Sequence, residues 1–325
     1  MTAPGSGRDR IRLTGTSDPM FSSFPPPVRT GDRVGIAALS GPVDAARLAA
    51  GIAALGELGF LPVRARNLDA REDLFAGGDD ERLAAVHELA DDDSLRAIFF
   101  ARGGHGVLRL LPHLDWNRLA RRPRAWIGYS DLTPFLDTLA RRAESVVFHG
   151  PMVAADLARG LSGEERVSLL AALAGQWPQV LAAPLGAVAA NERAVEGPLA
   201  GGCLSLLAST LGTPWQLDLA GSILLLEDVD EPTYRIDRML THLALSGSLT
   251  GVRGAILGDL RGTDEPIGGP SRVPERVRRV LPGVPVLAGL ECGHRGPNRT
   301  LPLRARARLD AASGTLSVGL GGGAA

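Results

Sequence analysis

Lysine is absent: all 35 basic side chains among the 325 residues are arginine. That one absence removes several chemistries. A lysine Schiff base, and with it pyridoxal-phosphate catalysis, is excluded. So are a Walker-A phosphate loop and a Ser-Lys dyad. Cysteine occurs only as Cys203 and Cys292, too few for a disulfide framework. No apolar run approaches the ~18 residues needed to span a bilayer, so no membrane segment is expected. Neither sign of charge is in excess: 35 basic and 36 acidic residues leave a formal net charge of −1. A nucleic-acid binder would carry a clustered basic face. The arginine pairs Arg121-Arg122 and Arg141-Arg142 instead end helical patterns, where cations complement the helix dipole. The opening stretch MTAPGSGRDRIRLTGTSDP lacks the apolar core of a secretory signal. Residues 1–27 are expected to be a disordered leader, and the protein cytoplasmic.

What is present is a chain with 45% apolar residues, long enough for two domains with sizeable cores. From about residue 28 the pattern alternates. The compact run DRVGIAAL (32–39) predicts a buried strand. DAARLAAGIAALGELGF (44–60) follows with Leu48, Ile52, Leu55 and Leu58 at helical spacing. Strands at 62–67, 95–102, 124–130 and 145–151 alternate with helices at 79–92 and 131–142, the signature of a parallel sheet with crossover helices. Residues 28–160 are therefore expected to form an N-terminal α/β domain. Residues 161–194 interrupt the rhythm and are expected to be a linker region, opened by the capping box Ser162 with Glu165. A second unit, 195–325, holds predicted helices at 203–212 and 234–247 and strands at 222–228, 254–260 and 284–290. It closes on a hairpin turning at Ala312-Ser313-Gly314.

Sites in open α/β sheets form at the carboxyl ends of the strands. The residues predicted there are Arg102-Gly103-Gly104-His105-Gly106, Gly128-Tyr129-Ser130-Asp131, His149-Gly150-Pro151, Glu227-Asp228 and Cys292-Gly293-His294. GYSD reads as a strand running straight into a helix with serine at the turn. That is the arrangement of a nucleophile elbow, in which the next N–H can stabilise an oxyanion. The match is partial, because Leu132 stands where a second glycine is usual. Serine is equally at home as the N-cap of a helix opening at Asp131, and the stretch alone leaves both readings open. Gly104-x-Gly106 is followed by Arg109 rather than a third glycine, so a dinucleotide fingerprint is not supported.

A nucleophilic serine needs a base, and the base an orienting acid. His149 and His294 stand at strand ends among glycines; His113 and His242 lie inside helical patterns. His87-Glu88 is followed by Asp91 where a zinc motif needs histidine, and no cluster has convincing metal spacing. Glu227, ending an apolar strand, is either a solvated terminus or the orienter. Cys203, after Gly201-Gly202, and Cys292, near His294, are rival nucleophiles, although free cysteine is commonly a small buried apolar group.

Taken in order, ARGGHG, WIGYSDLT, FHGPM, GGCLSLLASTLGTP, ILLLEDVDEPTYRIDRML and CGHRGPNRTLPL resemble the LD-carboxypeptidase family. That family, also called muramoyltetrapeptide carboxypeptidase, includes the microcin C immunity peptidases. The likeness runs from about Val28 to the last strand. It implies an α/β fold with an N-terminal flavodoxin-like parallel-sheet domain and a smaller C-terminal swivelling β/α domain. It also implies a Ser-Glu-His triad: Ser130 as nucleophile, Glu227 as orienter and His294 as base, with Glu231 a weaker candidate for the acid. The oxyanion hole would use backbone N–H groups of Asp131 and of Gly103 or Gly104. A homodimer without cofactor or metal, acting on a small muropeptide, is implied. A carboxypeptidase must also hold a free carboxylate. Arginine's paired donors suit that task, with Arg102 near the site and Arg235 or Arg238 further candidates. The sequence departs from the family at His105 (usually tyrosine), at Ala38-Leu39-Ser40 and at Arg304 (usually glycine). The rival readings are cleavage of peptidyl- or aminoacyl-nucleotide conjugates, non-catalytic muropeptide binding and a Cys203 hydrolase. The first needs an aromatic platform, and only 4% of residues are aromatic, Trp126, Trp177 and Trp215 among them.

Overall fold

In the computed structural model the described residues are 21–183, 193–266 and 271–321. Most of the expected leader and the Gly-rich tail lie outside them. Residues at the end of that leader are structured: Ser23 bridges to Ser145, and Phe24 stacks on Trp177 with ring centroids 4.9 Å apart.

The first sheet is built from β1 (Arg33–Ala37), β2 (Leu61–Arg64), β3 (Leu95–Phe100), β4 (Ala125–Gly128) and β5 (Val147–His149), all parallel. Their order, β2-β1-β3-β4-β5, is the doubly wound flavodoxin-like order, with the switch point between β1 and β3. β3 and β4 are buried almost throughout, as expected of central parallel strands covered on both faces. The connecting helices are α1 (Ala45–Glu57), α2 (Asp79–Asp91), the short α3 (Val107–Leu110) and α4 (Trp116–Ala120), and α5 (Thr133–Ala143). α1 starts where Asp44 accepts the Arg47 N–H, a side-chain N-cap.

The stretch expected as a linker contributes structure to both units. It holds α6 (Gly163–Leu173), opened by the predicted Ser162/Glu165 capping box, and β6 (Gln179–Ala182); its residues 184–192 lie outside those described. The second sheet adds β7 (Ala194–Cys203), β8 (Ile223–Glu227), β9 (Gly254–Leu257) and β10 (Val286–Ala288), with α7 (Leu204–Ser209), α8 (Thr233–Leu245) and α9 (Val273–Val280) as the intervening helices. These four strands are parallel, in the order β10-β9-β8-β7.

Near its end the chain returns to the first unit. β11 (Leu301–Leu303) pairs antiparallel with β5, Leu301 opposite His149, and becomes the edge of the first sheet. β12 (Arg306–Asp310) and β13 (Thr315–Val318) then form the predicted hairpin, which links β7 to β6 in the second sheet. β8 shows the period of two directly. Leu224 and Leu226 pack with the cores of α7 and α8, Leu204 and Leu240, while Ile223 and Leu225 share a core with Leu309 and Leu316. The loop between β10 and β11 is therefore strung between the two sheets.

Arg304, directly after β11, explains why glycine is usual there: its φ is +67, a left-handed conformation that favours glycine. Here the guanidinium is ion-paired with buried Asp137 of α5, with Arg304 Nε 2.9 Å from Oδ1, and donates to the Asp218 carbonyl at 2.8 Å.

Candidate active site

β4 carries Gly128 to the sheet's carboxyl edge, and Tyr129 continues it in extended backbone. Ser130 then turns abruptly, with φ +64. A non-glycine residue there stores strain, which is commonly held at functional turns. A 3-10 turn, Ser130–Leu132, runs into α5, and neither makes a side-chain cap bond. The capping reading of Ser130 therefore finds no support. The Ser130 carbonyl accepts a 2.8 Å bond from Thr133 Oγ1, and Thr133 Oγ1 in turn accepts the Cys203 N–H at 3.2 Å. In this way the end of β7 is fastened against the turn.

Gly103 lies against the serine. A Cβ built on Gly103 would sit 2.8 Å from both Ser130 Cβ and Oγ, so only glycine lets the two backbones approach this closely. Gly104, with φ +130, faces Gly41 instead. The structure thus separates two glycines that sequence could not: Gly103 abuts the expected nucleophile. Asp131, next in chain, has a buried carboxylate that accepts the Val107 N–H at 3.0 Å and so ties the two loops together.

Glu227 ends β8 fully buried, and its Oε2 is 2.7 Å from His294 Nδ1. Burial pushes the Glu227 carboxyl up from its ordinary value, against the pull of His294. For His294, burial acts downward, but the Glu227 carboxylate outweighs it and the imidazole pKa is raised. Tyr129 packs on the same imidazole, the two rings steeply inclined with centroids 4.8 Å apart. The His294 ring therefore packs on the residue preceding Ser130. Beneath Tyr129 lies His149, wholly buried, its pKa lowered to about 3 chiefly by desolvation.

The remaining candidates are placed elsewhere. Glu231 is ion-paired with Arg235 at 2.8 Å, not with His294. Arg102 lies over Gly41 and Gly104, donating to Gly103 O at 3.1 Å and Pro42 O at 3.2 Å. Arg238 stacks on Tyr234. Cys203 and Cys292 are buried, and desolvation raises both thiols well above their ordinary value, the opposite of an activated thiolate. Trp126 is buried against Phe100 and Phe135, Trp177 stacks on Phe24, and Trp215 lies on Trp116. A separate cavity of about 260 Å3 beside α8, lined by Thr233, Asp237, Asp264 and Arg276 among others, includes none of the expected catalytic residues.

The LD-carboxypeptidase N-terminal domain model matches residues 34–150, and the LD-carboxypeptidase C-terminal domain model matches residues 196–309. The chain belongs to the LD-carboxypeptidase family. It is 33% identical over 304 residues to the probable murein peptide carboxypeptidase of Bacillus subtilis, covering 91% of this chain and 94% of that protein. The crystal structure of muramoyltetrapeptide carboxypeptidase from Oxalobacter formigenes superposes with a TM-score of 0.78 at 30% identity, over 88% of this chain and 98% of that one. The microcin C7 self-immunity protein of Escherichia coli is 27% identical over 328 residues, covering 90% of this chain and 94% of that protein. These matches make the chain a member of a peptidase family.

Several residues at the site were not legible in sequence. Tyr129 was visible only as the residue before Ser130. Asp259 accepts the Arg295 N–H at 2.6 Å, and Asn298 Oδ1 accepts the Gly293 N–H at 3.1 Å; both brace the turn carrying His294. Asn298 was signalled only by the polar cluster after GH and Asp259 only by its place in the predicted strand GAILGDL, and neither had a spacing that assigns a role. Among the described residues no three His, Cys, Asp or Glu side chains are grouped to hold a metal ion, and no helix is long and apolar enough to cross a membrane.

Proposed function

We propose that this protein is a serine LD-carboxypeptidase that releases the terminal D-alanine of murein tetrapeptides, with Ser130 as nucleophile, His294 as base and Glu227 as orienter. The observation that carries the reading is the buried Glu227–His294 pair at 2.7 Å, packed edge-on against the residue preceding a serine with φ +64. A buried carboxylate on Nδ1 leaves Nε2 for the serine, which is the division of labour in Ser-His-acid hydrolysis.

His294 takes the Ser130 proton as Oγ attacks the scissile carbonyl. The resulting oxyanion is met by the N–H of Asp131 at the start of the helical turn and by an N–H of the Gly103-Gly104 segment. His294 then gives its proton to the leaving amine of D-alanine. Water, deprotonated by the same imidazole, hydrolyses the acyl-enzyme and restores Ser130. Glu227 holds the tautomer and stabilises the imidazolium throughout. Arg102, which borders the Gly103-Gly104 loop, is assigned the substrate's terminal carboxylate; Arg235 is committed to Glu231. The names of the Bacillus and Oxalobacter relatives support the murein peptide as substrate. The packing of Trp126, Trp177 and Trp215 against other rings argues against a nucleobase platform built from them. The reading also assigns the enzyme to the cytoplasm, which cell fractionation tests, and makes it a homodimer, which light scattering of the purified protein tests.

The deciding experiment follows D-alanine release from L-Ala-γ-D-Glu-meso-diaminopimelate-D-Ala by mass spectrometry, beside Ser130→Ala and an aminoacyl-sulfamoyl adenosine. Release that vanishes in the variant is expected. Turnover of the nucleotide conjugate alone would replace the substrate. Activity surviving Ser130→Ala would overturn the mechanism.

A further inference from the structure

The capping box that opens α6 has a second use. Glu165 lies within residues expected to link two domains, and its side chain is fully buried. As the N3 member of the box it accepts the Ser162 N–H at 2.8 Å. A cap needs no more than that, and helix-capping glutamates are ordinarily at the surface. Here the same carboxylate reaches 133 residues along the chain and accepts the Asn298 N–H at 2.7 Å. Asn298 relays the contact, since its own side-chain oxygen holds the N–H of Gly293, the residue before His294. Arg159 completes the shell of Glu165, donating to Oε2 at 3.1 Å and pairing with Oε1.

Arg159 carries the network to the aromatic ring that packs on the imidazole. It reaches Asp156 Oδ1 at 3.3 Å, and Asp156 lies 3.4 Å from the Tyr129 hydroxyl, whose ring covers His294. Arg159 also donates to the Gly296 carbonyl at 3.3 Å. Two further ties run from α6 to the same loop. Ser168 Oγ accepts the Thr300 N–H at 3.1 Å, and Glu164 pairs with Arg299. One turn of α6 thus grips the loop carrying the expected base, and Glu165 is the point where the loop-side and ring-side branches meet.

We propose that Glu165 is a positioning residue for His294, holding the 293–300 loop through Asn298 and the Tyr129 face through Arg159–Asp156. The proposal rests on the reading of His294 as the base that activates Ser130. Glu165 touches no reacting atom; it acts by keeping the imidazole where the serine hydroxyl can use it. A buried network of this kind is stringent, because losing one acceptor strands several donors. Misplacing a catalytic group by about 1 Å is enough for a loss on the order of 100-fold.

The test compares Glu165→Gln, Asn298→Ala and Ser162→Ala with the wild type. Two assays are used: D-alanine release, and the rate of Ser130 labelling by a fluorophosphonate, which needs the base but not the peptide. Glu165→Gln keeps the size of the side chain but sets an amide against donors on all sides. It is expected to lower kcat and the labelling rate together, about 10- to 100-fold, with KM little changed. Asn298→Ala keeps the backbone bond to Glu165, cuts the relay to Gly293, and should lose rate in the same way. Ser162→Ala removes only the helix-side half of the box and should lower Tm while leaving both rates within about twofold of wild type. Wild-type labelling rates in Glu165→Gln, or in Asn298→Ala should Glu165→Gln not fold, would overturn the proposal. So would an equal rate loss in Ser162→Ala. A wild type that neither labels nor releases D-alanine would instead sink the underlying serine-peptidase reading.

Discussion

Replacing Gly103 by alanine isolates the contact between the glycine loop and Ser130. Gly103 is not among the residues with left-handed backbone, so alanine meets no conformational penalty there; space alone decides. The new methyl would lie 2.8 Å from Ser130 Cβ and Oγ. Carbon contacts relax at roughly 3.5–4.0 Å, so the loop and the serine must part by about 1 Å. Overpacking of this size costs about 1–3 kcal/mol of stability, a fall of several degrees in Tm. The effect on turnover should be larger relative to its origin. A 1 Å shift between nucleophile and oxyanion donors is worth on the order of 100-fold in kcat, about 2.7 kcal/mol of transition-state stabilisation. Gly104→Ala provides the contrast. Its φ of +130 makes any side chain strained, and its methyl would meet Gly41 backbone atoms at 3.1 and 3.2 Å. That variant should lose more stability, through the backbone rather than through Ser130. The assay is D-alanine release and fluorophosphonate labelling, with thermal melts by circular dichroism. A Gly103→Ala enzyme with wild-type kcat and labelling rate would refute the argument that this loop is built against the nucleophile.

Glu227→Gln should reduce kcat/KM by about 10³–10⁴, as loss of the orienting carboxylate does in Ser-His-acid enzymes. It should also move the pH profile. Activity needs neutral His294 and falls as pH drops through a pKa that Glu227 holds above the ordinary value, so the acid limb should shift to lower pH in the variant. His149 is neutral when folded, with a pKa of about 3, yet titrates near 6.5 when unfolded. Between those values the unfolded chain binds the extra proton, so this group's stabilisation is complete above pH 6.5 and is lost progressively as pH falls toward 3. His149→Gln should flatten the dependence of the urea midpoint on pH across that window. Arg304→Gly removes a left-handed arginine but strips one partner from buried Asp137, leaving Arg141. The lost ion pair should outweigh the relieved strain, giving a net destabilisation of about 1–3 kcal/mol. A Tm above wild type would show that the strain dominates.

Local chemistry made much of the fold legible. Buried parallel strands carry continuous apolar runs, Ala97–Phe100 in β3 and Ile223–Leu226 in β8, and runs of that kind announce themselves. The capping box at Ser162 and the hairpin at Ala312-Ser313-Gly314 carry their own turn chemistry. β11 was not legible as a strand of its own, because Leu301–Leu303 continue the alternating stretch that runs into the terminal hairpin. Its partner, β5, lies over 150 residues earlier, and only the closed fold brings them together. Residues 161–194 were misleading for a related reason. The helix opened by Ser162 was legible, but the low periodicity after it suggested a connector, whereas α6 grips the His294 loop and β6 extends the second sheet.

By itself, the sequence determined that Ser130 and Glu227 stand at or just past strand ends and that Gly103 and His294 lie in the loops that follow strands. That follows because strands end where apolar runs end. Three matters were decided only by the tertiary structure. One is that Ser130 turns with φ +64 instead of capping a helix. Another is that Gly103, not Gly104, meets it. The third is that Glu227 and His294, 67 residues apart, close to 2.7 Å. Each depends on how two sheets and one returning strand are packed, and packing between distant segments leaves no period in a chain.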